Sequence, residues 1–91
     1  MTLLMPAQPN PFRQSATLAY SVARGGRVVL AIYSVNGRRV RLLVDGSREP
    51  GEYRTNWDGR DDGGNPMPAG VYYARLKTAD RTMTRAITYL R

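Results

Sequence analysis

Apolar and polar residues alternate along nearly the whole of this 91-residue chain. In Ala16–Val22, for example, Leu18, Tyr20 and Val22 fall on one side of an extended backbone. The same period of two recurs in Arg27–Val35, Arg38–Gly46, Glu52–Gly59, Gly70–Thr78 and Arg81–Arg91, with an additional edge segment near Leu3–Met5. No stretch of ten residues has apolar residues at helical spacing. The pattern therefore predicts an all-β protein of about six to seven strands.

Short segments rich in glycine, asparagine and proline separate the predicted strands. Val35–Arg38 contains Asn-Gly, the preferred central pair of a type I′ hairpin turn, because both positions of that turn need a positive φ. The strands on either side are therefore expected to be antiparallel neighbours. Ala23–Arg27 and Thr78–Thr82 read as tight turns, the second a hairpin, and Asp45–Glu52 as a longer loop. Strands joined in this way are typical of an antiparallel β-sandwich.

The composition limits the chemistry that the chain can perform. The sequence contains no cysteine and no histidine. Disulfides and thiolate chemistry are therefore excluded, and the commonest general base and transition-metal ligand is absent. No apolar run is long enough for a membrane-spanning helix. The first twelve residues also lack the basic region and the apolar length of a signal peptide.

The formal net charge is +7, and thirteen of the fourteen basic residues are arginines. A basic surface of this kind could bind nucleic acid, anionic lipid, lipopolysaccharide or an acidic protein. The charges are not concentrated in one dense run, and the simpler interpretation is that they serve solubility.

A glycine- and proline-rich segment between Trp57 and Tyr72 contains most of the candidate ligating side chains. Four of them could offer oxygen atoms to calcium, a cation that takes six to eight oxygen ligands: Asp58, Asp61, Asp62 and Asn65. Their spacing lacks the pattern of an EF-hand. Aspartate and asparagine also bond to their own backbone in turns, where glycine supplies positive φ. We expect a structural turn, with calcium as the alternative and no other cofactor.

The polar residues could serve two further functions, acid–base catalysis and nucleic-acid binding. Asp61 and Asp62 could form an acid–base pair if one of them were desolvated, but adjacent residues in such a loop are expected to remain solvated. The serines have no histidine to activate them, so we expect no enzymatic activity. Tyr33, just before the hairpin turn, could stack bases, and the arginines that follow the turn could contact phosphates: Arg38, Arg39 and Arg41. The solvent face of a sheet explains them equally well, and nucleic acid is not the expected partner.

Four motifs then occur in order along the chain. They are Pro9–Phe12, Ile32-Tyr33-x-x-x-Gly37-Arg38-x-Val40, Gly51-x-x-x-x-x-Trp57-Asp58-Gly59 and Pro68–Tyr72. Together they resemble the flagellar hook-capping-type immunoglobulin-like domain, and the same pattern is found in C-terminal sorting domains of the type IX (Por) secretion system. The resemblance covers about residues 9–91. Residues 1–8 are accordingly predicted to be an extended arm or linker.

The resemblance implies an immunoglobulin-like antiparallel β-sandwich within a secreted bacterial protein, located outside the cell or on its surface. It implies a sorting or attachment role without catalysis, and protein partners that are either secretion machinery or copies of the domain. In one alternative, an edge strand or the segment 1–8 builds a filament or surface layer. In another, the basic surface binds acidic polysaccharide or nucleic acid.

The resemblance also suggests structural roles for five residues. Trp57 would fill the centre of the core, and Gly37 and Gly59 would form turns. Gly70 and Tyr72 would begin the strand that follows the acidic segment.

Overall fold

Seven strands form two antiparallel sheets in the computed structural model, which describes all 91 residues. In chain order they are β1 (Leu3–Leu4), β2 (Ala16–Val22), β3 (Gly26–Tyr33), β4 (Arg39–Arg48), β5 (Gly51–Trp57), β6 (Gly70–Lys77) and β7 (Thr82–Tyr89). One sheet has the order β1-β2-β5 and the other the order β4-β3-β6-β7. The predicted all-β, immunoglobulin-like sandwich of six to seven strands is confirmed.

The alternation of the sequence directs one face of each sheet into the core. Along β2 every second residue is buried, and in β6 Tyr72, Ala74 and Leu76 are buried while their neighbours are exposed. The largest fully buried side chains come from both sheets and from the N-terminal segment; they include Trp57, Phe12, Leu4, Leu18, Leu30, Ile32, Leu76 and Ile87. Full burial of such a side chain stabilises the fold by about 1.5–3 kcal/mol.

The period of two fails in β4, where the sequence predicted Val40, Leu42 and Val44 on one face. The pairing with β3 passes from Leu30–Val44 to Ala31–Leu42 and so omits Leu43. A second irregularity omits Val40. Val40 and Val44 are buried and Leu43 packs partly against the core, whereas Leu42 is outside the core cluster. These irregularities behave as β-bulges, which insert a residue and shift the faces of a strand.

The β3–β4 connection is a hairpin, as predicted, but it is not a type I′ turn. Gly37 has a φ of 83°, while no residue other than glycine has a positive φ, so Asn36 does not fit that turn type. The Gly37 N–H donates to the Ser34 carbonyl at 3.0 Å, and the Ser34 N–H donates to the Arg38 carbonyl at 2.9 Å. The geometry is that of a three-residue loop in which a type I turn precedes a left-handed glycine.

Residues 1–8 are extended, but they lie on the sandwich and do not project from it as an arm or linker. Leu3 and Leu4 pair with Ser21 and Tyr20 of β2, and Leu4 is fully buried. Thr2 is also buried; its hydroxyl donates to an Asp80 carboxylate oxygen at 2.8 Å. A segment that adds a strand to a neighbouring molecule would first have to leave these contacts. The structure has no helix that is long and apolar enough to cross a bilayer.

Candidate functional site

The segment with most of the candidate ligands, residues 58–69, joins β5 to β6 and passes from one sheet to the other. We refer to it as the acidic loop. Asp62 attaches this loop to the outer edge of β4: its N–H donates to the Val40 carbonyl at 3.1 Å, and its Oδ1 accepts from the Leu42 N–H at 2.9 Å. Asp62 therefore satisfies backbone groups that an edge strand would otherwise leave unpaired.

Asp58 and Arg41 form a second contact between the acidic loop and β4. The Asp58 Oδ1 accepts from the Arg60 N–H at 3.1 Å and from the Arg41 Nη1 at 3.2 Å. The Arg41 Nε also lies 3.9 Å from the Asp62 Oδ1. Ion pairs as exposed as these contribute up to about 1 kcal/mol each. They nevertheless leave both carboxylates with a positive partner.

Asp61 organises the interior of the loop. Its Oδ1 accepts from the Gly63 N–H at 3.0 Å and the Asn65 N–H at 2.9 Å, and its own N–H donates to the Asn65 carbonyl at 2.9 Å. The bond from the Asn65 N–H is the main reason that the pKa of the Asp61 carboxyl lies below its ordinary value. Asp61 and Asn65 thus close a turn with their own backbone.

The candidate calcium ligands are therefore already engaged by partners within the molecule. No three acidic, histidine or cysteine side chains are grouped so that they could hold a metal ion. Asp58 contacts Arg41, Asp61 and Asn65 bond to each other, and Asp62 bonds to β4. Calcium would have to displace these hydrogen bonds, so the geometry favours the structural turn.

Trp57 lies at the centre of an aromatic cluster beneath the acidic loop. Its side chain is fully buried, and its Nε1 donates to the Arg60 carbonyl at 2.9 Å. The ring centroids of Tyr72, Phe12 and Tyr89 lie 5.1, 5.5 and 6.2 Å from that of Trp57. Aromatic pairs at these separations add about 0.5–1.5 kcal/mol to the effect of burial. Trp57 thus couples the loop to the core, and its buried ring presents no open face to a ligand.

Gly59 allows the loop to approach this cluster closely. Its φ is 77°, and a Cβ at this position would lie 2.7 Å from the Tyr89 ring. Both the backbone conformation and the available space therefore require glycine. Gly37 has a similar φ but open space around it, and Gly70 begins β6 as the resemblance suggested.

Tyr72 forms a contact that sequence reasoning missed. Its hydroxyl donates to the Pro68 carbonyl four residues upstream at 2.5 Å. This is the arrangement of a tyrosine corner, in which a tyrosine near the start of a strand bonds to the backbone of the preceding loop. Burial, followed by the nearby Tyr89, raises the pKa of the Tyr72 hydroxyl. The spacing of Pro68 and Tyr72 in the sequence was the available signal.

The motif Pro9–Phe12 also has a structural role that the sequence did not reveal. The Asn10 Oδ1 accepts from the Thr88 N–H at 2.9 Å, and its Nδ2 donates to the Ala86 carbonyl at 3.3 Å. The Phe12 N–H donates to the Thr88 carbonyl at 3.0 Å. The motif therefore covers the outer edge of the C-terminal half of β7, which reduces pairing with other chains.

Two of the residues that could bind nucleic acid are engaged by partners within the molecule. Arg41 is directed to Asp58, and the Tyr33 ring is covered by the Arg75 guanidinium, whose carbon lies 4.2 Å from the ring centroid. Arg39 is exposed and pairs with Tyr33 across the sheet. A stacking platform for bases needs an open aromatic face, which this arrangement reduces.

A model of the FlgD Ig-like domain family matches residues 13–81 of the chain. The protein is an immunoglobulin-like β-sandwich, and it belongs to the FlgD Ig-like domain family. This finding confirms the resemblance seen in the motifs. A search of curated protein sequences found no match.

Three solved structures share the fold. PorU, crystallised as a latent dimer from Porphyromonas gingivalis, matches with a TM-score of 0.68 and 21% identity over 98% of this chain and 9% of that one. PorZ, described as an essential surface component of the type IX secretion system of P. gingivalis, matches with a TM-score of 0.59. The identity is 20% over 97% of this chain and 11% of that one. FlgD from Pseudomonas aeruginosa matches with a TM-score of 0.58 and 24% identity over 81% of this chain and 58% of that one. This chain therefore corresponds to about a tenth of PorU and PorZ.

Proposed function

We propose that this domain is a non-catalytic sorting and attachment module of an exported bacterial protein, and that it acts outside the cell or on its surface. The observation that carries the proposal is the structural match over nearly the whole chain to PorU and PorZ. In both proteins the matching part is a small fraction of a longer chain, as expected for a module.

The structure of the acidic loop supports a non-catalytic role. The side chains of Asp58, Asp61 and Asp62 accept hydrogen bonds from the backbone or from Arg41. General acid–base catalysis usually needs a group with a pKa tuned towards neutrality. The pKa of Asp61 is instead moved away from neutrality, so it is poorly suited to accept a proton there. The loop is better suited to stabilise the sandwich than to act on a substrate.

A secretion assay tests the proposal. Residues 1–91 are fused to the C-terminus of a reporter that is delivered to the periplasm, in a host with a type IX system and in an otherwise identical host without it. We expect the reporter in the medium or on the surface of the first host only. A reporter that stays in the periplasm of both hosts would rule out the sorting role.

Two variants of the fusion test whether export needs the intact sandwich. A fusion truncated after residue 81 lacks β7, and an Arg54→Gln fusion changes one exposed residue of β5 in an intact fold. We expect the truncated fusion to remain in the periplasm and the Arg54→Gln fusion to be exported normally.

A further inference from the structure

A basic groove lies on the outer face of the four-stranded sheet, and none of the residues that line it belongs to the acidic loop. It has a volume of about 450 Å³, and its walls come from β3, β6 and the β6–β7 turn. The residues that carry the argument are Arg27, Val29, Tyr33, Arg75, Lys77 and Ala79. No acidic residue lines the groove, so its lining has three positive charges and an apolar part formed by Val29 and Ala79.

Two of the three cations lack an acidic partner. Arg27 pairs with Asp45, with an Nη2–Oδ1 distance of 2.9 Å, whereas Arg75 and Lys77 take part in none of the ion pairs of the structure. Arg75 is held by an aromatic residue: its Nη2 donates to the Tyr33 hydroxyl at 2.6 Å, and its guanidinium stacks on the ring. The arrangement fixes a positive charge without neutralising it. Unneutralised cations that share a groove attract an anion.

The position of the cations indicates an extended anionic ligand. Arg75 and Lys77 are two residues apart on β6 and both are exposed, so they project from the same face. Along a strand this spacing corresponds to about 6.6 Å. Val29 lies beside Lys77 in the adjacent strand, which places an apolar surface next to the charge. A ligand that fits this lining has repeated anionic groups attached to a body with apolar faces.

We propose that this groove binds a carboxylate-bearing polysaccharide. Arginine and lysine would bind the carboxylates through charge-assisted hydrogen bonds, while the aliphatic faces of the sugar rings contact Val29 and Ala79. A single-stranded nucleic acid would need an aromatic face in the groove for stacking. Arg75 covers Tyr33, and the exposed Tyr73, which pairs with Tyr33, does not line the groove. An acidic peptide would gain most from pairing at a sheet edge, whereas this groove lies on a sheet face. The proposal does not depend on the sorting role.

Isothermal titration of the full chain with polygalacturonate tests the proposal, with neutral dextran as the comparison polymer. We expect binding to polygalacturonate at low salt, none to dextran, and weaker binding as salt screens the charges. The double variant Arg75→Gln/Lys77→Gln should weaken binding by about tenfold or more, because it removes two charge-assisted contacts. Lys77→Gln alone, which removes one of the three cations that line the groove, should give a smaller loss of affinity.

The matched control is Arg13→Gln/Arg54→Gln, which removes the same charge from exposed residues outside the groove. It should change the affinity by no more than about twofold, in line with the small effect of distant surface charges. An equal loss in the control would mean that net charge alone causes binding, and would overturn the proposal. Unchanged binding by both groove variants, or tighter binding to oligothymidylate or polyglutamate than to polygalacturonate, would overturn it as well.

Discussion

The acidic loop and the basic groove both concentrate like charges, but they differ in how those charges are compensated. In the loop, Asp58, Asp61 and Asp62 all accept hydrogen bonds from the backbone or from Arg41. In the groove, Arg75 and Lys77 have no carboxylate partner. Charges that are satisfied within the molecule stabilise its structure, whereas unpaired charges remain available to a ligand. The loop contains most of the candidate ligands in the sequence, but it is therefore the less suitable binding site.

The largest expected effect is that of Gly59→Ala in the loop. The new Cβ would meet the Tyr89 ring at 2.7 Å, and the residue would keep a φ of 77°. We expect a loss of about 3 kcal/mol in the free energy of unfolding, from strain and overpacking together. Chemical denaturation measures this loss. Gly64→Ala is the matched control, because Gly64 has a φ of 84° but open space around it; it should cost about 1–2 kcal/mol.

Tyr72→Phe should have the next largest effect. It removes the hydrogen bond to the Pro68 carbonyl, which holds the end of the acidic loop, and should cost about 1–2 kcal/mol in denaturant unfolding. Tyr73→Phe, at an exposed neighbour without that bond, should be close to neutral. The pKa of Tyr72 is raised in the folded chain. The stability that its neutral hydroxyl contributes is therefore present below pH 10 and is lost as the pH rises through the pKa of the folded chain. Tyr72→Phe should therefore reduce alkaline destabilisation.

Acid should weaken the loop through Asp61. The pKa of this carboxyl is lower in the folded chain than its ordinary value of 3.8, chiefly because of the Asn65 N–H. The stability that the ionised carboxylate contributes is therefore present above pH 3.8 and is lost as the pH falls through the pKa of the folded chain. Asp61→Asn should lower the melting temperature at neutral pH. It should also make the melting temperature decrease less as the pH is lowered. Glu49→Gln, which alters an exposed carboxylate with no side-chain hydrogen bond, should leave the acid profile unchanged. Asp80, with a pKa lowered chiefly by the Thr78 hydroxyl, adds a similar dependence.

The smallest effects on stability are expected from the groove and from calcium. Arg75→Gln/Lys77→Gln should change the free energy of unfolding by no more than about 1 kcal/mol, because the main loss is the exposed cation–π contact between Arg75 and Tyr33. Millimolar calcium should leave the melting temperature unchanged if the carboxylates of the loop serve its own backbone. A clear rise in the melting temperature with calcium, abolished by Asp61→Asn, would show that the loop is a binding site. The conclusion that the loop is less suitable for binding than the groove would then be wrong.

Much of the fold was accessible from the sequence because it depends on local patterns. The strand Ala16–Val22 was predicted with the bounds that the structure shows, and the burial of Trp57 and Tyr72 follows from alternation in their strands. The type of the hairpin turn was wrong because Asn-Gly is compatible with more than one loop geometry. The predicted orientation of Leu42 towards the core was wrong because β-bulges depend on the pairing with the partner strand.

The contacts that define the candidate sites are mostly between residues far apart in the chain. Asn10 meets Thr88 across 78 positions, and Arg75 meets Tyr33 across 42. Neither contact can be inferred without the strand order and register. Asp62 was recognised as a candidate ligand, but its bond to the Leu42 N–H depends on how the loop lies against β4. The tyrosine corner is local by contrast, because Pro68 and Tyr72 are four residues apart, but it was not predicted from the sequence.

The most direct test of the proposed function is the accessibility of the fused reporter to protease added to intact cells. The fusion of residues 1–91 is compared in hosts with and without a type IX system, together with the reporter recovered from the medium. We predict that most of the reporter is cleaved or released in the first host and protected in the second. Equal protection in both hosts, with the fusion folded and stable, would contradict the proposal that this domain directs export.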